Sequence, residues 1–159
     1  DLAVLNKLEV NVDIETVRSQ VIPQFGDYGQ LYPETKGVLQ ELHTRGYRMA
    51  IVSNGAYQQE TAERLGIATY FDTIIGSIHV GFRKPMPEIF QMALTALSIG
   101  PDQAIMVGDN WEADVEGAEN AGVRGIHLNR TDDPSLSGEA VEDLWGVVQF
   151  LQSHVASYE

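Results

Sequence analysis

Asp109 and Asp114, in the stretch Ala104–Gly122 (AIMVGDNWEADVEGAENAG), are side chains whose types and spacing could do chemistry. The apolar run Ala104 to Val107 predicts a buried strand, with Gly108 and Asp109 at its carboxyl end and Asp114 where a helix begins. Ligands of an open α/β sheet bind outside the carboxyl ends of its strands, and two convergent carboxylates there suit a hard cation such as Mg²⁺. A plainer reading is equally open, in which Asp109 turns the chain and Asp114 caps a helix.

Two other segments fall at comparable places. Ser53-Asn54-Gly55 offers a hydroxyl and a glycine N–H that could hold a phosphoryl oxygen, or it could simply cap the next helix. Arg83-Lys84-Pro85 follows a glycine-bearing loop and precedes a helix, where a lone lysine is ordinarily solvated surface.

The elements that must position these residues alternate. Asn11 to Ile22 reads as a short helix capped by Asp13 and ended by Pro23, and Gln24 to Gln30 as a loop. Pro33 leads into a helix with Val38, Leu39 and Leu42 inward, stopped at Gly46. Met49 to Val52 lacks alternation, which predicts a strand covered on both faces. Helices follow at Tyr57 to Leu65, from Pro87 to a stop at Gly100, and at about Ala113 to Ala121. Strands are expected at Thr73 to Ile75, Ala104 to Val107 and Arg124 to Leu128. A polar loop, Asn129 to Gly138, leads to a last helix over Glu139 to His154 with Trp145 on its inner face. The pattern predicts an α/β fold with a doubly wound parallel sheet.

The 159 residues suffice for one core, and 43% hydrophobic content is that of a globular protein. With no cysteine, disulfides and thiolate chemistry are excluded, and a metal must take oxygen or imidazole ligands. His43, His79, His127 and His154 lack metal-ligand spacing and read as structural or solvent-facing; Trp111 reads as packing against a neighbouring loop. A net charge of −13 opposes a nucleic-acid partner. No apolar run reaches the ~20 residues of a membrane helix and the first residues resemble no signal peptide, so a cytoplasmic protein without a membrane partner is expected. Oligomeric state is not encoded in any recognisable pattern.

The order Ser-Asn-Gly, Lys-Pro, Gly-Asp-x₄-Asp, each after a strand, resembles the haloacid dehalogenase-like hydrolase superfamily, in the branch whose cap domain is inserted ahead of the Ser motif. The resemblance runs from about Leu31 to Leu128 and includes LYPETKGVLQELHTRGYRMAIVSNG and FRKPMPEIF, with Met86 departing from an acidic residue common there. It implies a Mg²⁺-dependent phosphatase acting on a small phosphorylated substrate. Ser53, Asn54 and Gly55 would hold the phosphoryl group, Lys84 would neutralise its charge, and Asp109 with Asp114 would hold Mg²⁺. A 2-haloacid dehalogenase is a second possibility, disfavoured by the Gly108-Asp109 form.

The family's nucleophile is an aspartate in Asp-x-Asp-x-Thr on a central first strand, and no Asp-x-Asp occurs here. Asp13, in Val12-Asp13-Ile14-Glu15-Thr16, is a decoy whose Thr comes one residue early. Residues 1–30 are therefore expected to be the remnant of a helical cap and residues 31–159 the core, with the nucleophile upstream of Asp1. The sheet would then lack its middle strand, between the Ser53 and Asp109 strands, and the chain alone would be inactive. A non-catalytic relative or fragment that keeps the phosphate and Mg²⁺ pocket is the alternative from another class.

Overall fold

In a computed structural model the chain divides into two units, Asp1–Gln30 and Leu31–Glu159. The structure describes residues 29–131 and 138–155, with side chains described through Ser153. The helix expected over residues 11–22, and Asp13 with it, lie outside the described residues.

After Pro33, α1 (Thr35–Thr44) buries Val38 and Leu39 and ends at Gly46, whose φ of +81° only glycine adopts without strain. Strand β1 (Ala50–Ser53) pairs in parallel with β2 (Thr73–Gly76), Ser53 opposite Gly76, with α2 (Gln58–Arg64) between them. A single-turn α3 (Ser77–Val80) follows, then α4 (Pro87–Leu97), with Pro87 at its first turn. The chain leaves α4 at Ser98, φ 53°, two residues before the expected stop at Gly100. Strand β3 (Ile105–Gly108) pairs in parallel with β4 (Arg124–Leu128). Between them lie a π-helical turn, Trp111–Glu116, and α5 (Gly117–Asn120), so this helix starts two residues earlier than expected.

The last helix departs further from expectation. Ala140–Val141 are extended and form β5, paired with His127 and Leu128 of β4; α6 (Leu144–Val155) begins only afterwards. Tertiary pairing outweighs helical periodicity there, and the Asp143 carboxylate accepts the Gly146 N–H where the helix starts. Trp145 is 41% exposed rather than inward; Val147 and Val148 of α6 are buried.

The α/β class with parallel pairing is as expected. Among the described residues the strands form two sheets, β1-β2 and β3-β4-β5, and the division falls between the Ser53 strand and the Asp109 strand. All of β1 and β3 is half-buried, whereas Gly125, Ile126 and His127 of β4 are buried. Among the described residues, strand β4 has a partner on each side and β1 and β3 have one each. Met49 to Val52 is covered on both faces as expected, Ala50 and Val52 facing one core cluster and Met49 and Ile51 the other.

Helix α4 joins the two sheets. Ile89, Phe90, Ala93 and Leu94 share a core with Ile75, Ala118, Ala121 and Val123, against which Ala50, Val52, Ala104 and Met106 pack. Burial of side chains such as Ile89 and Phe90 stabilises by about 1.5–3 kcal/mol each. Leu39, Ala62 and Ile67 cover the other face of β1 and β2, touching Ile51 and Ile74. Among the described residues, no helix is long and apolar enough to cross a membrane.

Candidate functional site

Each singled-out residue follows a strand or precedes a helix that fixes it. Ser53 is the last residue of β1, and the loop beyond it lies close to β2: a Cβ added at Gly76 would come within 2.7 Å of the Gly55 carbonyl. The Gln58 side chain lies across both glycines, and the Gly55 carbonyl leaves no room for a methyl group at Gly76. The His79 ring Nε2–H donates to the Ala56 carbonyl at 2.9 Å, tying the loop to α3.

Asn54 reaches Lys84. Its Oδ1 accepts the Lys84 N–H at 2.7 Å and its Nδ2 donates to the Lys84 carbonyl at 2.8 Å, so one amide satisfies both backbone groups of that residue. The Lys84–Pro85 bond is cis. Gly117 packs against the Pro85 ring, where an added Cβ would lie 2.8 Å from Cα.

The Lys84 ammonium then pairs with Asp114, Nζ to Oδ1 at 2.5 Å; the side chains are 11% and 5% exposed. The other carboxylate oxygen of Asp114 accepts the Asn110 N–H at 3.0 Å. Gly108 makes this possible, because a Cβ there would land on the Asp114 carboxyl group. Asn110, not Asp114, caps the turn: its side chain accepts the Ala113 N–H at 2.8 Å.

Asp109 is exposed and its carbonyl accepts from His127 Nε2 at 3.2 Å. Trp111 packs edge-on against His127, centroids 5.7 Å apart, and against Gly138, the loop contact expected of it. Ser53, Asn54, Gly55, Lys84 and Asp114 thus belong to one linked set of strand ends, and Asp109 joins it through the peptide it shares with Asn110. Asp109 exposes its carboxylate and Asp114 holds its own in bonds to Lys84 and the Asn110 N–H, and carboxylate oxygens, one or two together with water and substrate phosphate, are the donors Mg²⁺ commonly takes. The donor set fits that ion. Among the described residues no group of three or more His, Asp or Glu converges as a complete metal site.

A cavity of about 280 Å³ opens beside Asp109, lined in part by Tyr32, His127 and Arg130. Arg130 lies 3.5 Å over the Tyr32 ring and donates to Glu34 at 2.6 Å, which holds that carboxyl below its ordinary pKa. Sequence reasoning missed this link across 96 positions because no local pattern encodes it. The bonds of Asn54 to the Lys84 backbone and of His127 to the Asp109 carbonyl have no local signal either, although His127 stands opposite Gly108 in the parallel register.

The sequence pattern described as haloacid dehalogenase-like hydrolase matches residues 3–122. The chain belongs to that hydrolase family. It is 41% identical over 112 residues to a phosphoserine phosphatase of Thermus thermophilus, covering 67% of this chain and 45% of the relative. It is 40% identical over 100 residues to a glyceraldehyde 3-phosphate phosphatase of Methanothermobacter thermautotrophicus, covering 62% of this chain and 44% of the relative. The chain therefore spans less than half the length of either. Among solved structures, a HAD phosphatase from Thermococcus onnurineus superposes with a TM-score of 0.78 at 28% identity, over 92% of this chain and 68% of that one. A 2-haloacid dehalogenase from Pseudomonas syringae gives 0.69 at 28% identity, over 78% and 54%.

Proposed function

We propose that this chain carries the phosphate-positioning and Mg²⁺-holding half of a phosphomonoester hydrolase acting on a small phosphorylated substrate. The observation that carries the reading is Lys84, whose backbone is held by Asn54 and whose ammonium pairs with Asp114, so that three segments meet at one lysine. Phosphoryl transfer needs positioning and charge compensation above all. Ser53 and the Gly55 N–H would receive phosphoryl oxygens, Lys84 would offset their charge, and Asp109 with Asp114 would hold Mg²⁺. The ion, when bound, supplies further charge stabilisation at the phosphoryl oxygens. The names of the two sequence relatives support a phosphatase over a dehalogenase.

In the longer parent the reaction would run through an aspartyl-phosphate whose aspartate is not in this chain, which contains no Asp-x-Asp. The split between β1 and β3 among the described residues supports this reading. Residues 1–30 would be the remnant of a helical cap and 31–159 the core, in a cytoplasmic protein. The test is p-nitrophenyl phosphate hydrolysis with and without Mg²⁺, beside calorimetric titration with orthovanadate and Mg²⁺. Ligand binding that depends on Lys84 and Asp109, without turnover, is the expected result. Turnover by this chain would overturn the missing nucleophile, and absence of binding would overturn the pocket.

A further inference from the structure

The geometry points to His127 as a positioning residue for Asp109, an inference that rests on the proposed Mg²⁺ site. Strand β4 carries the ring to 3% exposure opposite Gly108. An imidazole packed against Trp111 does nothing there that an apolar ring could not do, and its Nδ1 is buried without a hydrogen-bond partner among the described residues. Burial of an unsatisfied nitrogen disfavours histidine at this place. What only the imidazole contributes is the Nε2–H bond to the Asp109 carbonyl.

That carbonyl and the Asn110 N–H belong to one peptide unit. The oxygen is held by His127 and the N–H by the Asp114 carboxylate, so the plane between the two aspartates is fixed from both ends. The Asp109 side chain is exposed and makes no side-chain hydrogen bond among the described residues, so the backbone sets its direction. His127 thereby sets the direction in which Asp109 presents its carboxylate, in the way outer-shell groups orient metal ligands elsewhere.

His127→Phe keeps a ring against Trp111 and removes the donor; His127→Gln places an amide N–H within reach of the same carbonyl. In H127F the Asn110 amide should exchange with solvent about tenfold faster and the Mg²⁺ dissociation constant should rise about tenfold, while H127Q stays near the parent chain and orthovanadate affinity changes in neither. Equal exchange and equal Mg²⁺ affinity in H127F and the parent would overturn the inference. So would loosening in H127Q that H127F does not share, which a purely packing role predicts. Nitrogen NMR of the unaltered chain gives a test independent of any variant: His127 must be the Nε2–H tautomer, and the Nδ1–H tautomer would overturn the inference. If the parent binds no Mg²⁺ through Asp109, the proposed metal site fails, and amide exchange with the tautomer still decides the role of His127.

Discussion

Lys84 and Asp114, thirty positions apart, meet in an ion pair at 2.5 Å that is almost closed to solvent. Such a pair holds its neighbourhood together less by net attraction than by the cost of leaving either charge alone. The pair joins the loop after α3 to the π-helical turn, and through Asn54 it reaches the end of β1.

Lys84→Met should therefore destabilise the fold by about 2–4 kcal/mol, somewhat under the ~3–5 of a fully buried broken pair, because Asp114 keeps the Asn110 N–H. Asp114→Leu strands the lysine instead. Urea unfolding of both single variants and the double variant should give a double-variant loss well below the sum of the two. Simple additivity would mean that the two charges are not energetically coupled.

Asn54→Ala removes both bonds to the Lys84 backbone. The loss should be about 1–2 kcal/mol in urea unfolding, from the two hydrogen bonds at a partly solvated site. Orthovanadate affinity should fall about tenfold with it, because the lysine loses its fixed backbone. Stability lost without a change in anion affinity would separate Asn54 from the pocket.

These two residues mark how far the sequence could be read. Ser53, Lys84, Asp109 and Asp114 were legible because each follows an apolar run or precedes a proline-led or acidic helix start, and those signals are local. The bond from Asn54 to Lys84 spans 30 positions and the pair of Arg130 with Glu34 spans 96, so neither leaves a local trace. Ala140–Val141 show the same limit from the other side, since their apolar spacing suited a helix while the open edge of β4 drew them into a strand. His127 read as structural or solvent-facing, and it is buried; its partner stayed unnamed because that partner is a backbone carbonyl, which no sequence pattern names.

Asp72 supplies a pH dependence away from the site. The Met49 N–H, at 2.9 Å, lowers its carboxyl below the ordinary 3.8, and Arg48 adds a weaker pull. For a depressed carboxyl the stabilisation is present above the ordinary value and lost as pH falls through the lowered one. The parent chain should accordingly melt higher than Asp72→Asn near neutral pH, and the difference should shrink below about pH 4. Thermal melts across that range check it, and a difference that stays constant into acid would remove Asp72 as its source.

Gly108→Ala tests the closeness of β3 to the paired aspartate. The new methyl would land on the Asp114 carboxyl group, which Lys84 and the Asn110 N–H hold from both oxygens, so the clash cannot be relieved without breaking one of them. A loss of about 1–3 kcal/mol is expected, the usual range for overpacking, together with weaker Mg²⁺ and orthovanadate binding. Gly46→Ala is the matched control: its φ of +81° makes alanine costly by about 1 kcal/mol, yet nothing lies within 4 Å of the added Cβ. It should lower the melting temperature and leave both affinities untouched. If the two variants lose affinity alike, the effect of G108A comes from general loosening rather than from displacement of Asp114.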